Sequence, residues 1–125
     1  ATQGGDIVRF GGGSSLTAGK IYYYDDSGNW VEADASAEST AKGFLAVALG
    51  TSPSDGMLLR GIIVLHTIDG TQESGMPIYL DTDSGAANIA TPTSTGEIVR
   101  IVGYALSSVN ALTWFDPDKS WVELA

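Results

Sequence analysis

The chain has 125 residues, among them 16 glycines, 4 prolines and no cysteine, and 15 acidic against 6 basic side chains give it a net charge of −9. That length suits one domain, residues 1–125, with a core of its own, and the absence of cysteine excludes disulfides and thiolate metal sites. The charge has the wrong sign for coating a phosphate backbone, and no run approaches the roughly 18 apolar residues of a membrane span, so neither nucleic acid nor membrane is an expected partner.

Abundant Val, Ile, Thr, Tyr and Gly favour strands and tight turns over helices. A first strand is expected at residues 6–10, followed by the loop GGGSS at 11–15. Such a loop resembles a phosphate cradle in composition, but the Lys and Ser/Thr that complete one are missing from the required spacing. Strands at 20–24 and 29–33 flank Asp25-Asp26-Ser27-Gly28, a hairpin turn by composition. Residues 34–42 read as a surface loop or one short helical turn. GFLAVAL (43–49) and MLLRGIIVL (57–65) are apolar on both faces, with Gly61 placed like a bulge or bend. A strand opens at Pro77, where the missing N–H matters least, a short one is expected in 86–90, and the last block runs from Gly96.

That block repeats the beginning of the chain. Gly5, Asp6, Ile7, Val8 and Arg9 correspond to Gly96, Glu97, Ile98, Val99 and Arg100. Without a gap, Tyr23 then falls on Trp114, Asp25 on Asp116, and Trp30, Val31 and Glu32 on Trp121, Val122 and Glu123. The correspondence predicts that residues 5–33 and 96–124 fold as equivalent strand–turn–strand–turn–strand units. Residues 78–85 echo 21–28 as a weaker third copy. Together these features predict an all-β fold, a small β-sandwich or barrel of about nine short antiparallel strands with an internal duplication. Strands apolar on both faces need cover on both. A second sheet supplies one, and a neighbouring subunit is expected to supply part of the other, making a homo-oligomer that buries apolar side chains from 43–65 or 98–106.

No constellation points to catalysis, and no cofactor or metal is expected. Arg9, Arg60 and Arg100 each follow two apolar residues inside a strand. A guanidinium there calls for a bidentate acceptor. Glu32 and Glu123 are the candidates, Arg9 facing Glu123 and Arg100 facing Glu32, within a chain or between chains; the other reading is a ligand-binding arginine. The turns at Asp25, Asp81 and Asp116 carry calcium-like carboxylates, but position 12 counted from Asp81 is Pro92 and not Glu, so turn chemistry is the expected role. His66, the single histidine, ends an apolar strand, and no nucleophile elbow accompanies it. Tyr22 and Tyr24 should share one face and Tyr23 the other. Tyr23, Trp30, Trp114 and Trp121 are candidates for stacking on sugar rings if exposed, and for core if not.

GFLAVAL (43–49), GMLLRG (56–61), GEIVRIVGYAL (96–106), Phe115-Asp-Pro-Asp and Trp121-Val-Glu together resemble a structural module of tailed-bacteriophage virions, the C-terminal end of fibre-like proteins. The wider plan is similar to small capsid decoration proteins. The resemblance implies a non-enzymatic viral structural protein, often a homotrimer, on the virion surface after synthesis in the host cytoplasm. Its implied partners are further copies of itself and a major capsid protein or fibre shaft. A carbohydrate- or host-receptor-binding module using exposed aromatics, with a host surface glycan as partner, is the alternative. Ala1 fits removal of an initiator Met or a boundary within a longer chain.

Overall fold

A computed structural model describes residues 4–125. The chain forms β1 (Gly4–Val8), β2 (Ile21–Tyr24), β3 (Trp30–Glu32), the helical turn α1 (Glu38–Ala41), β4 (Leu45–Ala48) and, after a 3-10 turn at Pro53–Asp55, β5 (Met57–Val64). It continues through β6 (Ile68–Asp69), β7 (Pro77–Leu80), β8 (Ala87–Asn88), β9 (Ile98–Val99), β10 (Ile101–Ala105), β11 (Leu112–Phe115) and β12 (Val122–Glu123). The expected all-β class is therefore what the chain adopts, with more and shorter strands than the nine expected. Ten strands join one curled sheet in the order β3-β2-β4-β5-β11-β10-β7-β8-β6, with β1 on β5, while β9 and β12 form a small second sheet. The strand pairs are antiparallel except β6 with β8, so the sheet is mixed.

The 3-10 turn closes the loop before β5 by local chemistry. Ser52 accepts a hydrogen bond from the Ser54 amide, and the Asp55 carboxylate accepts from the amides of Thr51 (3.0 Å) and Ser52 (3.2 Å), with Pro53 at its first position.

β5 is the corner of the fold. Met57 and Leu58 pair with both β1 and β4, whereas Gly61 and Ile62 pair with both β1 and β11. A residue has only two edges, so β4 and β11 share the edge opposite β1 and part company between them. They separate at a bulge: Asp6 lies opposite Arg60 and Ile7 opposite Leu58, leaving Leu59 the extra residue. Two residues on, Gly61 faces Gly5 at positive φ, and a methyl group on either would run into the other strand's backbone. The bulge or bend expected at Gly61 thus falls two residues earlier, at Leu59, and what requires glycine at 61 is the close backbone approach.

Two apolar clusters follow. The larger lies inside the curl and includes Ile21, Leu45, Val47, Leu58, Ile63, Ile78, Leu80, Val102 and Phe115. The smaller, on the opposite face, gathers Leu16, Tyr22, Trp30, Ala46, Ala48 and Met57, with Val8, Tyr24 and Leu59 against them. Alternation thus separates Tyr22 and Tyr24 from Tyr23, which packs on the larger cluster. β4 is buried on both faces because its alternate residues belong to different clusters. The chain itself supplies the second cover at this point: residues 9–16 fold back so that Leu16 closes over the cluster, the Gly12 amide bonds Gly28 O, and Gly12 O accepts from the Trp30 amide.

The duplication is only partly realised. Strands recur at matching positions, β2 with β11 and β3 with β12, but β3 pairs with β2 whereas β12 pairs with β9 and not with β11. The first strands differ too: β1 pairs with β5, whereas its counterpart β9 pairs with β12. Equivalent folding of 5–33 and 96–124 is therefore not found: the order of elements repeats, the pairing does not. The weaker echo fares better. β7 and β8 form an antiparallel hairpin across Asp81–Gly85 as β2 and β3 do across Asp25–Gly28, with Gly28 (φ 80°) and Gly85 (φ 74°) in matching places.

Candidate functional site: an uncovered face of the sheet

Beyond the bulge the outer face of β5 has no cover among the described residues. Ile62 and Val64 point outward, exposed, and register places Trp114 and then Tyr104 beside Ile62. In the next row Leu112 lies beside Val64, and Leu106 bonds back to Leu112. Leu106 is exposed, Leu112 and Trp114 are half-buried, and Val109 at the tip of the β10–β11 loop is 87% exposed. Single exposed apolar residues are ordinary; a contiguous set on three adjacent strands is not. One end of this face is charged: Arg60 stands 4.0 Å from Asp116 and 5.7 Å from the centre of the Trp114 ring. Among the residues named here, Ile62, Val64, Tyr104 and Leu106 lie inside the two stretches from which intersubunit contacts were expected. Leu112 was missed, because only its pairing with Val64 places it there.

The three arginines do not share a role. Arg9 and Arg60 are exposed; Arg100 is 4% exposed. Its expected carboxylate partner is replaced by three backbone carbonyls: Nε donates to Asp118 O at 2.9 Å, Nη1 to Ala41 O at 2.8 Å and Nη2 to Gly43 O at 2.9 Å. The guanidinium also lies over the Trp121 ring, 5.0 Å from its centre. Burial pulls its pKa down to about 10, partly opposed by Asp118, so it remains a cation at neutral pH. Glu32 pairs with Lys20 at 3.5 Å, and Glu123 is exposed. Within one chain, the predicted Arg9–Glu123 and Arg100–Glu32 pairs are therefore absent among the described residues. A planar fork with several donors can satisfy divergent carbonyls as well as one carboxylate, which the sequence pattern does not distinguish.

The four stacking candidates also separate. Trp30 is 3% exposed, and its Nε1 donates to Phe10 O at 2.9 Å, so it is core and not a ligand platform. It anchors an aromatic group with Tyr24 (ring centres 4.8 Å apart) and Phe44 (5.5 Å), with Phe10 at the rim. Trp114 belongs to the uncovered face. Tyr23 and Trp121 meet in an open groove of about 630 Å³ that Tyr24, Asp25, Asp26 and Lys42 also line.

Of the acidic turns, the first does what turn chemistry predicts: the Asp25 carboxylate accepts from the amides of Ser27 and Asn29. The second does not stand alone. Asp81 and Asp83 meet Asp69 of β6, one carboxylate oxygen from each lying within 4.8 Å of the others. A hydrogen bond and the charge of Asp81 raise the Asp69 pKa, with smaller contributions from desolvation and Asp83. Asp69 went unnoticed in the sequence because only the parallel β6–β8 pairing brings it there. His66 is exposed, its Nδ1 3.0 Å from Thr67 Oγ1. Among the described residues no helix is long and apolar enough to cross a membrane. Set against family models, curated proteins and solved structures, the chain matches none of them.

Proposed function

We propose that this chain is a non-enzymatic structural module that self-associates through the outer face of β5, β11 and β10, as part of a tailed-phage virion surface. The observation that supports the assembly is the bare apolar face, two rows deep across three strands. A second copy suits it better than a charged partner. The chain carries −9, yet the two rows of this face are uncharged, and at its edge Arg60 stands between Asp116 and Asp6. Two copies can thus meet without opposing their acidic surfaces. The virion setting rests on the resemblance of residues 43–124 to phage fibre ends and decoration proteins. That resemblance favours a trimer, with a major capsid protein or a fibre shaft as the other partner.

Sedimentation of the whole chain at micromolar concentration tests the assembly. The expected result is a multiple of 13.0 kDa, reduced to one copy by Ile62→Glu. A wild-type monomer overturns it. Electron microscopy of particles labelled against the chain tests the setting, and label away from heads and fibres overturns that part.

The groove shared by Tyr23 and Trp121 supports a second reading, a receptor- or glycan-binding module. Aromatic faces stack on sugar rings while carboxylates such as Asp25 and Asp26 accept from hydroxyls. A glycan array on which the wild type binds and Trp121→Ala does not would establish it; an array without binding would remove it.

A further inference from the structure

We propose that Asp69, Asp81 and Asp83 form a calcium site that clamps strand β6 to the β7–β8 turn. Three carboxylates from two separate parts of the chain each bring an oxygen to within 4.8 Å of the others. That is the span two oxygens reach on opposite sides of one calcium ion, at roughly 2.3–2.6 Å each. A cluster of acids does not by itself make a site, but Asp81 adds an independent sign. It is 7% exposed, and its Oδ1 accepts from the Thr82 amide at 2.8 Å and from Asn88 Nδ2 at 3.4 Å. With the three carboxylates ionised, its Oδ2 is buried and has no hydrogen-bond partner. A desolvated anionic oxygen without a donor is unfavourable, and a bound cation supplies what no donor does. No basic side chain takes that place: the ion pairs among the described residues are Lys20–Glu32 and Arg60–Asp116.

The donor set selects the ion class. All three ligands are hard carboxylate oxygens, the chain has no cysteine, and His66 is outside the cluster, which favours calcium over zinc. Asp69 and Asp83 are exposed, leaving room for waters to complete a coordination of six to eight. The ligands are also held in place. Asp83 O accepts from the Ala86 amide, Asp69 O from the Ile89 amide, and Asp69 pairs with Asn88 across the parallel strands. The turn lies on the seam where the curled sheet meets itself: Gly85 bonds Ile21 and Ala33, and Asp81 O accepts from the Ala35 amide at 2.7 Å. A calcium ion here ties the short strand β6 to that seam.

Calorimetric titration of the whole chain with calcium chloride, after removal of metal with EDTA, tests the site. One binding event is expected, with a dissociation constant near or below roughly 1 mM, as in extracellular calcium modules. Asp81→Asn and Asp69→Asn should each weaken it about tenfold or more, because each removes a ligand charge. Asp26→Asn, in a turn whose amides already bond Asp25, should leave it unchanged. Melting supplies a second readout that survives any folding effect of the substitutions. In EDTA, Asp81→Asn melts at or above the wild type, since it removes a charge from a crowded anionic cluster; in about 10 mM calcium the order reverses, because only the wild type gains from binding. No saturable binding below about 10 mM calcium, binding that survives both substitutions, or equal affinity for magnesium overturns the proposal. None of these results depends on whether the chain self-associates.

Discussion

The two halves of β5 carry similar residues and end differently. Met57, before the bulge, and Leu59, at it, lie with Leu16, Trp30 and Tyr22. Ile62 and Val64, after it, lie open beside Trp114 and Leu112. Hydrophobicity does not separate the halves; the path of the preceding chain does. Residues 9–16 return over the first half and are held by Gly12 bonding on both sides of Asn29, where the glycines at 11 and 12 leave no side chain to collide with the Trp30 indole or Asn29. Nothing among the described residues returns over the second. A strand apolar on both faces therefore states a need for cover without saying whether the same chain or another copy provides it.

The covered half should be the more sensitive. Trp30→Ala empties the centre of the smaller cluster and strands Phe10 O, and should cost about 3–5 kcal/mol of stability, read by chemical denaturation. Trp114→Ala, on the open half, should cost far less in the isolated subunit; equal losses would show that the open face is already packed.

The arginines sharpen the same contrast. Arg100→Ala leaves three carbonyls without their donor and should cost roughly 2–5 kcal/mol, with Arg100→Lys recovering only part because one ammonium cannot reach three divergent acceptors. Arg60→Ala removes an exposed pair and should cost less than about 1 kcal/mol. Matching melting temperatures for Arg100→Ala and Lys119→Ala would mean the guanidinium site contributes nothing net.

Ile62→Glu should leave the folded subunit within about 1 kcal/mol of wild type, because the side chain already meets water. Its effect should appear in mass, by sedimentation, as loss of the assembly. An unchanged assembly would place the contact elsewhere on the chain. The smallest effect belongs to Val109→Ser, expected within about 0.5 kcal/mol in denaturation, since a loop-tip residue has little burial to lose.

Much of the local structure was legible in the sequence. Strand positions near 20–24, 77–80 and 57–65, a loop or short helical turn in 34–42, the Asp-rich hairpin turns and the opposite faces of Tyr22 and Tyr23 all follow from composition and from a period of two. These depend on each residue and its neighbours, which the sequence contains directly. Partner choice does not. The Trp-Val-Glu strand repeats almost letter for letter, yet β3 joins β2 and β12 joins β9, because pairing is settled by the register of the whole sheet and by which edges remain free. For the same reason the acceptors of Arg100 were not readable, since Ala41, Gly43 and Asp118 offer backbone carbonyls that every residue type possesses. Asp69 beside Asp81, and the bare half of β5 beside the covered one, likewise exist only once distant strands are laid edge to edge.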